Sequence, residues 1–261
     1  MDLLIDADIL ACQFAYAYEA RRGGGGVRAA AAVYGDADGE ARNDRLRNDG
    51  RWAIAGFDSA VERMLRETRT DKAILCFTDC ENFRYAVLPT YKANRRGLPR
   101  PALLDVLIEH ARQVWECKSE DSLEADDVMG IMATRSPRSY VMASTDKDLK
   151  QVPGVHYNWR TDCMERVTTP DADYWFYFQV LTGDSTDGYS GCPGVGPRRA
   201  QTVLESAGAD PWASIVSAFE SKGLSEEDAL TQARVARILR CDDYDLKRRR
   251  PILWRPRPDW A

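Results

Sequence analysis

Histidine is nearly absent. His110 and His156 are the only two in 261 residues, which leaves little raw material for imidazole as a general base or metal ligand. Both read as ordinary surface or half-buried side chains. The seven cysteines (Cys12, Cys76, Cys80, Cys117, Cys163, Cys192, Cys241) are odd in number and form no C-x-x-C pair, so a zinc site is not expected and a reduced, cytosolic chain is. No apolar run approaches the roughly 20 residues that span a bilayer. Asp2 and Asp6 flank the first apolar run, where a secretory signal needs a basic start, so neither a membrane partner nor a leader is expected. Positive charge is also short: 36 Lys and Arg against 41 Asp and Glu give a net charge of −5, which taken whole argues against a polyanionic partner.

The distribution of charge reverses that inference. Acids fall in short clusters just after apolar runs: Asp6 and Asp8, Asp79, Glu124 with Asp126 and Asp127, Asp146 with Asp148, and Asp184 with Asp187. Carboxylates gathered at strand ends repel one another unless cations hold them, and hard divalent ions prefer oxygen ligands. The basic residues concentrate elsewhere, at Arg84, Lys92, Arg95, Arg96 and Arg100, at Arg198 and Arg199, and at Lys247 to Arg250. An acidic pocket between basic segments is the pattern of a metal-dependent enzyme acting on a polyanion.

At 44% hydrophobic and 30% charged residues, the chain has the composition and length to bury a core, arranged as one domain with an appendage. Leu3 to Ile5, Ala73 to Phe77, Tyr140 to Ala143 and Val155 to Trp159 read as strands. Helical spacing runs to Tyr18, over Phe57 to Leu65, over Pro101 to Trp115 and onward from Leu123, and an aromatic helix follows Asp173. Strands alternating with helices predict an α/β fold with a parallel sheet, whose strand ends converge in one crevice. Residues 21–49, with the Gly23 to Gly26 run, read as a flexible or irregular insertion. Phe83 to Pro101 reads as an exposed basic arm, part of an arch over about 83–120. A core over 1–172 and a helical region over 173–261 are expected.

Each motif alone has a bland explanation. Glu124-Ala-Asp-Asp127 fits the solvated first turn of a helix, and Asp146-Lys-Asp148 is weak by itself. Gly183-Asp-Ser-Thr-Asp187 is firmer, because two acids three apart in a tight turn are costly unless they bind something. Gly191 to Ala200 looks like the hairpin of a helix-hairpin-helix: Gly194 and Gly196 turn the chain, Pro197 starts a helix, and the N–H groups of Val195, Gly196 and Arg198 are placed to meet a phosphate. Arg198 and Arg199 add charge that reads no sequence. Tyr91 is suited to stack an unpaired base, with Lys92 and Arg95 on a phosphate.

Taken in order, Leu3-Leu-Ile-Asp6, Phe77-Thr-Asp79, Tyr91-Lys-Ala-Asn-Arg95, Leu123 to Asp127, Ser144 to Asp148, Gly183 to Asp187 and Gly194-Val-Gly196 resemble the 5′-nuclease family of flap endonucleases and phage 5′→3′ exonucleases. Within that family the likeness is to the podophage gene-six exonucleases, and it extends to Asp187-Gly-Tyr-Ser-Gly191, Ala236-Arg-Ile-Leu-Arg240 and Leu253-Trp-Arg-Pro256. The resemblance implies a PIN-like nuclease core with two Mg2+ or Mn2+ ions. Asp6, Asp79, Glu124 and Asp126 would hold one ion, with Asp127 at or between both, and Asp146, Asp148, Asp184 and Asp187 the other. It implies catalysis aided by Lys92 and Arg95, nucleic-acid contacts from Arg84, Tyr91, Arg96 and the hairpin, and a K+ ion at the hairpin. The expected partner is duplex DNA with a free 5′ end, or an RNA–DNA hybrid or 5′ flap, together with a single-stranded-DNA-binding or replication protein. Asp8 lies where the family pattern demands no ligand and is left out. Two other readings stay open: a haloacid-dehalogenase-type phosphatase, from Leu4-Ile-Asp-Ala-Asp8, and a non-catalytic DNA-binding scaffold.

Overall fold

The computed structural model describes residues 1–22, 39–136, 139–208 and 210–256. A six-stranded sheet of order β3-β2-β1-β4-β5-β6 forms the centre. Its members are β1 (Asp2–Asp6), β2 (Ala73–Cys76), β3 (Glu116–Lys118), β4 (Tyr140–Ala143), β5 (Gly154–Asn158) and β6 (Cys163–Val167). All pairings are parallel except β5–β6. The inner strands are continuous apolar runs because helices cover both faces, as parallel sheets require.

Side-chain alternation along the strands sorts the core into two layers. Leu3, Ile5, Leu75, Val141 and Ala143 face α1 (Ala7–Arg21), α3 (Arg51–Thr68) and α5 (Leu104–Val114). Leu4, Ile74, Cys76 and Met142 face α6 (Ala125–Arg135). A third apolar cluster joins α7 (Thr169–Thr182), α8 (Pro197–Glu205), α9 (Pro211–Glu220) and α10 (Glu226–Ala236) around Phe176, Val180, Trp212, Ile215 and Phe219. The chain then crosses back from the helical region: Ile238, Leu239 and Tyr244 pack with α6 in the sheet layer. A two-stranded ribbon of β7 (Tyr244–Asp245) and β8 (Arg250–Pro251) follows.

Three sequence expectations change here. Residues 39–49 of the proposed insertion form helix α2 (Gly39–Asp49), because Leu46 is buried in the sheet core and Arg47 pairs with Glu109 at 2.7 Å; residues 23–38 lie outside the described residues. The basic segment from Phe83 is not a free arm. It contains α4 (Arg84–Val87) and a short 3-10 turn at Ala93–Arg95, and it buries both Arg84 and Tyr91. Strands β3 and β6 were missed: the first carries Glu116 and Lys118, the second is exposed except at Val167, and neither has a clean apolar signal.

Candidate active site

The site is assembled at the carboxyl ends of β1 and β4, where chain termini of parallel strands meet helix starts. Asp6 ends β1 and caps α1: one carboxylate oxygen accepts from the Ile9 N–H at 3.2 Å, the other from the Ser144 hydroxyl at 2.9 Å. Burial, with Asp8 beside it, pushes the Asp6 carboxyl up to about 7. Asp8, in the first turn of α1, accepts the Thr78 N–H at 2.9 Å, and burial raises it too, with Glu124 nearby. Glu124 and Asp127 form a capping box at the start of α6, which projects Asp126 toward Asp6 and Asp146. Burial and those neighbours hold the Asp126 carboxyl well above its ordinary value. After β4, Asp146 accepts the Asp148 N–H at 2.8 Å. Burial and Asp146 push Asp148 up to about 7, with Asp184 and Asp187 also acting on it.

The turn after α7 supplies the far wall. Gly183 (φ +66) and Gly191 (φ +64) press together so closely that a Cβ on Gly183 would stand 2.3 Å from the Ser190 carbonyl carbon. Asp184 and Asp187 sit in the loop this pinch closes, and the Asp184 carboxylate accepts from the Thr186 N–H at 2.6 Å. The basic segment is stapled onto the same turn. The Lys92 N–H donates to the Asp187 carbonyl at 2.7 Å, and the Asn94 amide donates to Thr186. Arg95 donates to the Asp187 carboxylate at 2.7 Å, the Tyr91 hydroxyl donates to Glu124 at 3.0 Å and Asp187 at 3.1 Å, and the Lys92 ammonium donates to Glu124. Burial alone would raise Glu124, but Arg84 and Lys92 hold it below the usual carboxylate range. Burial likewise opposes the Lys92 charge, yet Glu124 and Asp187 keep the ammonium above its ordinary value.

The result is a polar cavity of about 220 Å³ lined by Glu124, Asp126, Asp146, Asp148, Asp184 and Asp187, with Lys92 and Arg95 at its mouth. Among the described residues no three acidic, histidine or cysteine side chains stand as a closed ion cage. Glu124 and Asp187 are drawn instead to the cations of the basic segment. The donor set nevertheless fits hard cations. Asp126 and Asp148 each present a buried carboxylate oxygen with no hydrogen-bond partner among the described residues, in surroundings where only added positive charge would let all the acids ionise together.

Several expected residues stand elsewhere. Asp127 is fully buried and takes no part in the cavity: its two oxygens accept from Arg84 at 2.7 and 2.8 Å and from the Leu239 N–H at 3.0 Å, which leaves no room in the role of a metal ligand. For the same reason Arg84, 2% exposed, is not available to a nucleic acid. The Tyr91 ring is 1% exposed, so it holds two acids by its hydroxyl and offers no face to a base. Asp79 does not line the cavity. Its carboxylate accepts the Ser122 N–H at 3.0 Å, and that bond, with the Cys80 N–H, lowers its pKa. Arg96 is exposed, over Tyr85 and donating to the Pro89 carbonyl. In the hairpin, Gly194 takes φ +72 and Gly196 caps α8, leaving Arg198 exposed. Val195 is instead buried and its N–H donates to Cys192, so it cannot serve a phosphate, and the Gly194 carbonyl accepts from Arg199 at 3.1 Å. Asp8, left out of the expected ligands, stands close to Asp6 and Glu124 but does not line the cavity.

Comparison with known proteins agrees with this architecture. Residues 3–172 match the family model described as the 5′-3′ exonuclease, N-terminal resolvase-like domain. The exonuclease of Escherichia phage T7 is 34% identical over 222 residues, 70% of this chain and 73% of that protein. The exodeoxyribonuclease of Enterobacteria phage T3 is 33% identical over 223 residues, with the same coverage. A phage T5 5′-exonuclease solved with divalent zinc ions shares the fold, with TM-score 0.63 at 14% identity over 90% of this chain and 89% of that one. By its sequence over two thirds of its length, this chain belongs to the 5′-3′ exonuclease family.

Proposed function

We propose that the chain hydrolyses phosphodiesters inward from the 5′ end of duplex DNA, releasing products with 5′-phosphate and 3′-hydroxyl ends, and that it also acts on 5′ flaps and on the RNA strand of RNA–DNA hybrids. The observation that carries this reading is the pair of unpartnered, buried carboxylate oxygens on Asp126 and Asp148 inside a crevice crowded with acids and edged by Lys92 and Arg95. Asp6, Glu124, Asp126, Asp146, Asp148, Asp184 and Asp187 would hold two Mg2+ or Mn2+ ions between them. Such ions supply a hydroxide at neutral pH and neutralise the departing 3′ oxygen.

The chain's own residues do the rest. Lys92 and Arg95, ion-paired at the mouth with Glu124 and Asp187, would turn toward the scissile phosphate as metal ions take up those acids, and stabilise the negative charge growing there. Tyr91 fixes the spacing between those two acids. The α8 start, with Gly196 and exposed Arg198 and Arg199, supports a sequence-independent grip on duplex backbone. The phosphatase reading fits less well, since it gives no role to the Glu124 and Asp126 group or to Lys92 and Arg95, which line the same cavity. Incubating the protein with duplexes labelled at the 5′ or the 3′ end, with and without Mg2+, tests the proposal. Mg2+-dependent shortening from the 5′ end is expected; cleavage from the 3′ end, or equal cleavage in EDTA, contradicts it.

A further inference from the structure

The motif Ala236-Arg-Ile-Leu-Arg240 takes no part in the chemistry above, yet it runs directly beneath the cavity. After α10 the chain extends at Arg237 (φ −64, ψ 117), and Val235, Ala236 and Ile238 form part of the cavity lining. The last helical bond runs from the Arg237 N–H to the Ala233 carbonyl at 3.0 Å, and beyond it side chains take over much of the main-chain bonding. The Val235 and Arg237 carbonyls accept from the Arg84 guanidinium at 2.9 and 2.6 Å, and the Leu239 N–H donates to Asp127 at 3.0 Å. The Ala236 carbonyl accepts from the Gln151 amide at 2.7 Å, the Ile238 N–H donates to the Gln151 oxygen at 3.2 Å, and Gln151 also donates to Gln179. Arg240 returns the grip by donating twice to the Gln151 carbonyl, at 3.0 and 2.6 Å.

Asp127 and Gln151, which bond the strap, and Gln179, which bonds Gln151, each share a local segment with one acidic group. Asp127 lies on the helix turn that bears Glu124 and Asp126. Gln151 ends the 3-10 turn that begins at Asp148. Gln179 lies one turn before the Gly183 to Asp187 loop. All three side chains are at most 4% exposed, so the bonds of Asp127 and Gln151 to the strap, and of Gln151 to Gln179, are shielded from solvent. The packing is also tight from the α6 side: a Cβ on Gly130 would stand 2.3 Å from the Leu239 carbonyl oxygen.

We propose that the strap over residues 235–240 is a positioning element that sets the spacing between the Glu124–Asp126 group and the Asp146–Asp148 and Asp184–Asp187 groups, and thereby the affinity of the site for divalent ions. This rests on the metal-dependent reading above. The strap acts through Gln151 and Asp127, positioning residues whose side chains are bonded to it. Partners that orient ligands from behind typically change metal affinity or turnover by about 10–100-fold when removed.

The test compares wild type with Gln151→Met, which keeps the bulk of the side chain and removes its bonds to the strap, and with Gly130→Ala, which displaces Leu239. Mn2+ binding is followed by electron paramagnetic resonance, kcat and KM are measured on 5′-labelled duplex well below the melting temperature, and Tm is recorded separately. The expected result is an Mn2+ dissociation constant raised about tenfold and kcat lowered about tenfold with KM within twofold, the loss in kcat shrinking as Mn2+ is raised. Variants with a lower Tm but wild-type Mn2+ affinity and kcat would overturn the proposal, reducing the strap to a stabilising element. If Gly130→Ala does not fold, Gln179→Met removes one outer bond and reads the same quantities. Wild-type protein that binds no Mn2+ would sink the metal-dependent reading itself, an outcome distinct from unchanged variants of a wild type that does bind.

Discussion

The floor and the rim of the crevice are both built from carboxylates but solve the problem of burying them in opposite ways. At the rim, Glu124 and Asp187 are held by Lys92, Arg95 and Tyr91, and Glu124 stays ionised despite its burial. On the floor, Asp6, Asp126 and Asp148 form no ion pair among the described residues, their carboxyls are pushed upward by burial despite Lys92 near Asp126 and Lys147 near Asp148, and two of their oxygens have no donor there. A rim neutralised by side chains carries its own counter-charge until an ion replaces it. A floor of crowded acids is strained until positive charge arrives, and a protein pays that cost of burial only where the charge is useful.

The sharpest way to break the contrast is to neutralise the floor. Asp148→Asn, and equally Asp146→Asn or Asp184→Asn, is expected to lower cleavage by roughly 10³-fold or more while leaving duplex binding within a few-fold; gel-shift and cleavage assays on the same preparations check this. The counterpart behind the rim is Arg84→Met. It leaves the Asp127 charge buried alone and should cost about 3–5 kcal/mol of stability, measured by urea unfolding, with a wild-type midpoint refuting the pairing.

A third prediction uses proton linkage. Asp6 and Asp148 have folded-state values of about 7 against an ordinary 3.8. Between those values the folded protein retains protons that the unfolded chain has released, so stability falls as pH rises from about 4 to about 7 and stays low above that. In EDTA, Tm should therefore be several degrees lower at pH 8 than at pH 5, Asp148→Asn should flatten the difference, and Mn2+ should largely remove it. A Tm that rises across this range in EDTA would contradict the assignment of the strained floor. The smallest effect is expected furthest from either wall: Arg198→Ala should weaken duplex binding a few-fold, alike for all sequences, and reduce the slope of log K against log salt by about 1.

Much of this was legible in the chain before any coordinates. The apolar runs of β1, β2 and β4 end at or just before acids, and the periodicity of parallel strands and covering helices predicts that Asp6, Asp79 and Asp146 meet; Asp6 and Asp146 do stand near one another, whereas Asp79 does not line the cavity. What was not legible depends on partners remote in sequence. Arg84 looks like a surface cation until Asp127, 43 residues later, and the carbonyls of Val235 and Arg237 surround it. Asp126 and Asp127 are neighbours of identical chemistry, and only the direction each takes from the first turn of α6 sends one into the cavity and the other into a buried ion pair. Tyr91 illustrates the same limit: an aromatic in a basic, proline-bounded segment reads as exposed, but the Asp187 turn and the helical cluster close over it. Strands β3 and β6 were invisible because short edge strands with charged residues lack the apolar signature of the central ones.

The most direct measurement is an anomalous difference map from a crystal soaked in Mn2+. The account predicts two strong peaks in the crevice, within coordination distance of the Asp126 and Asp148 oxygens that now lack donors, with Lys92 displaced from Glu124. A map with no peak among these carboxylates, and Lys92 still seated on Glu124 at saturating Mn2+, would contradict it.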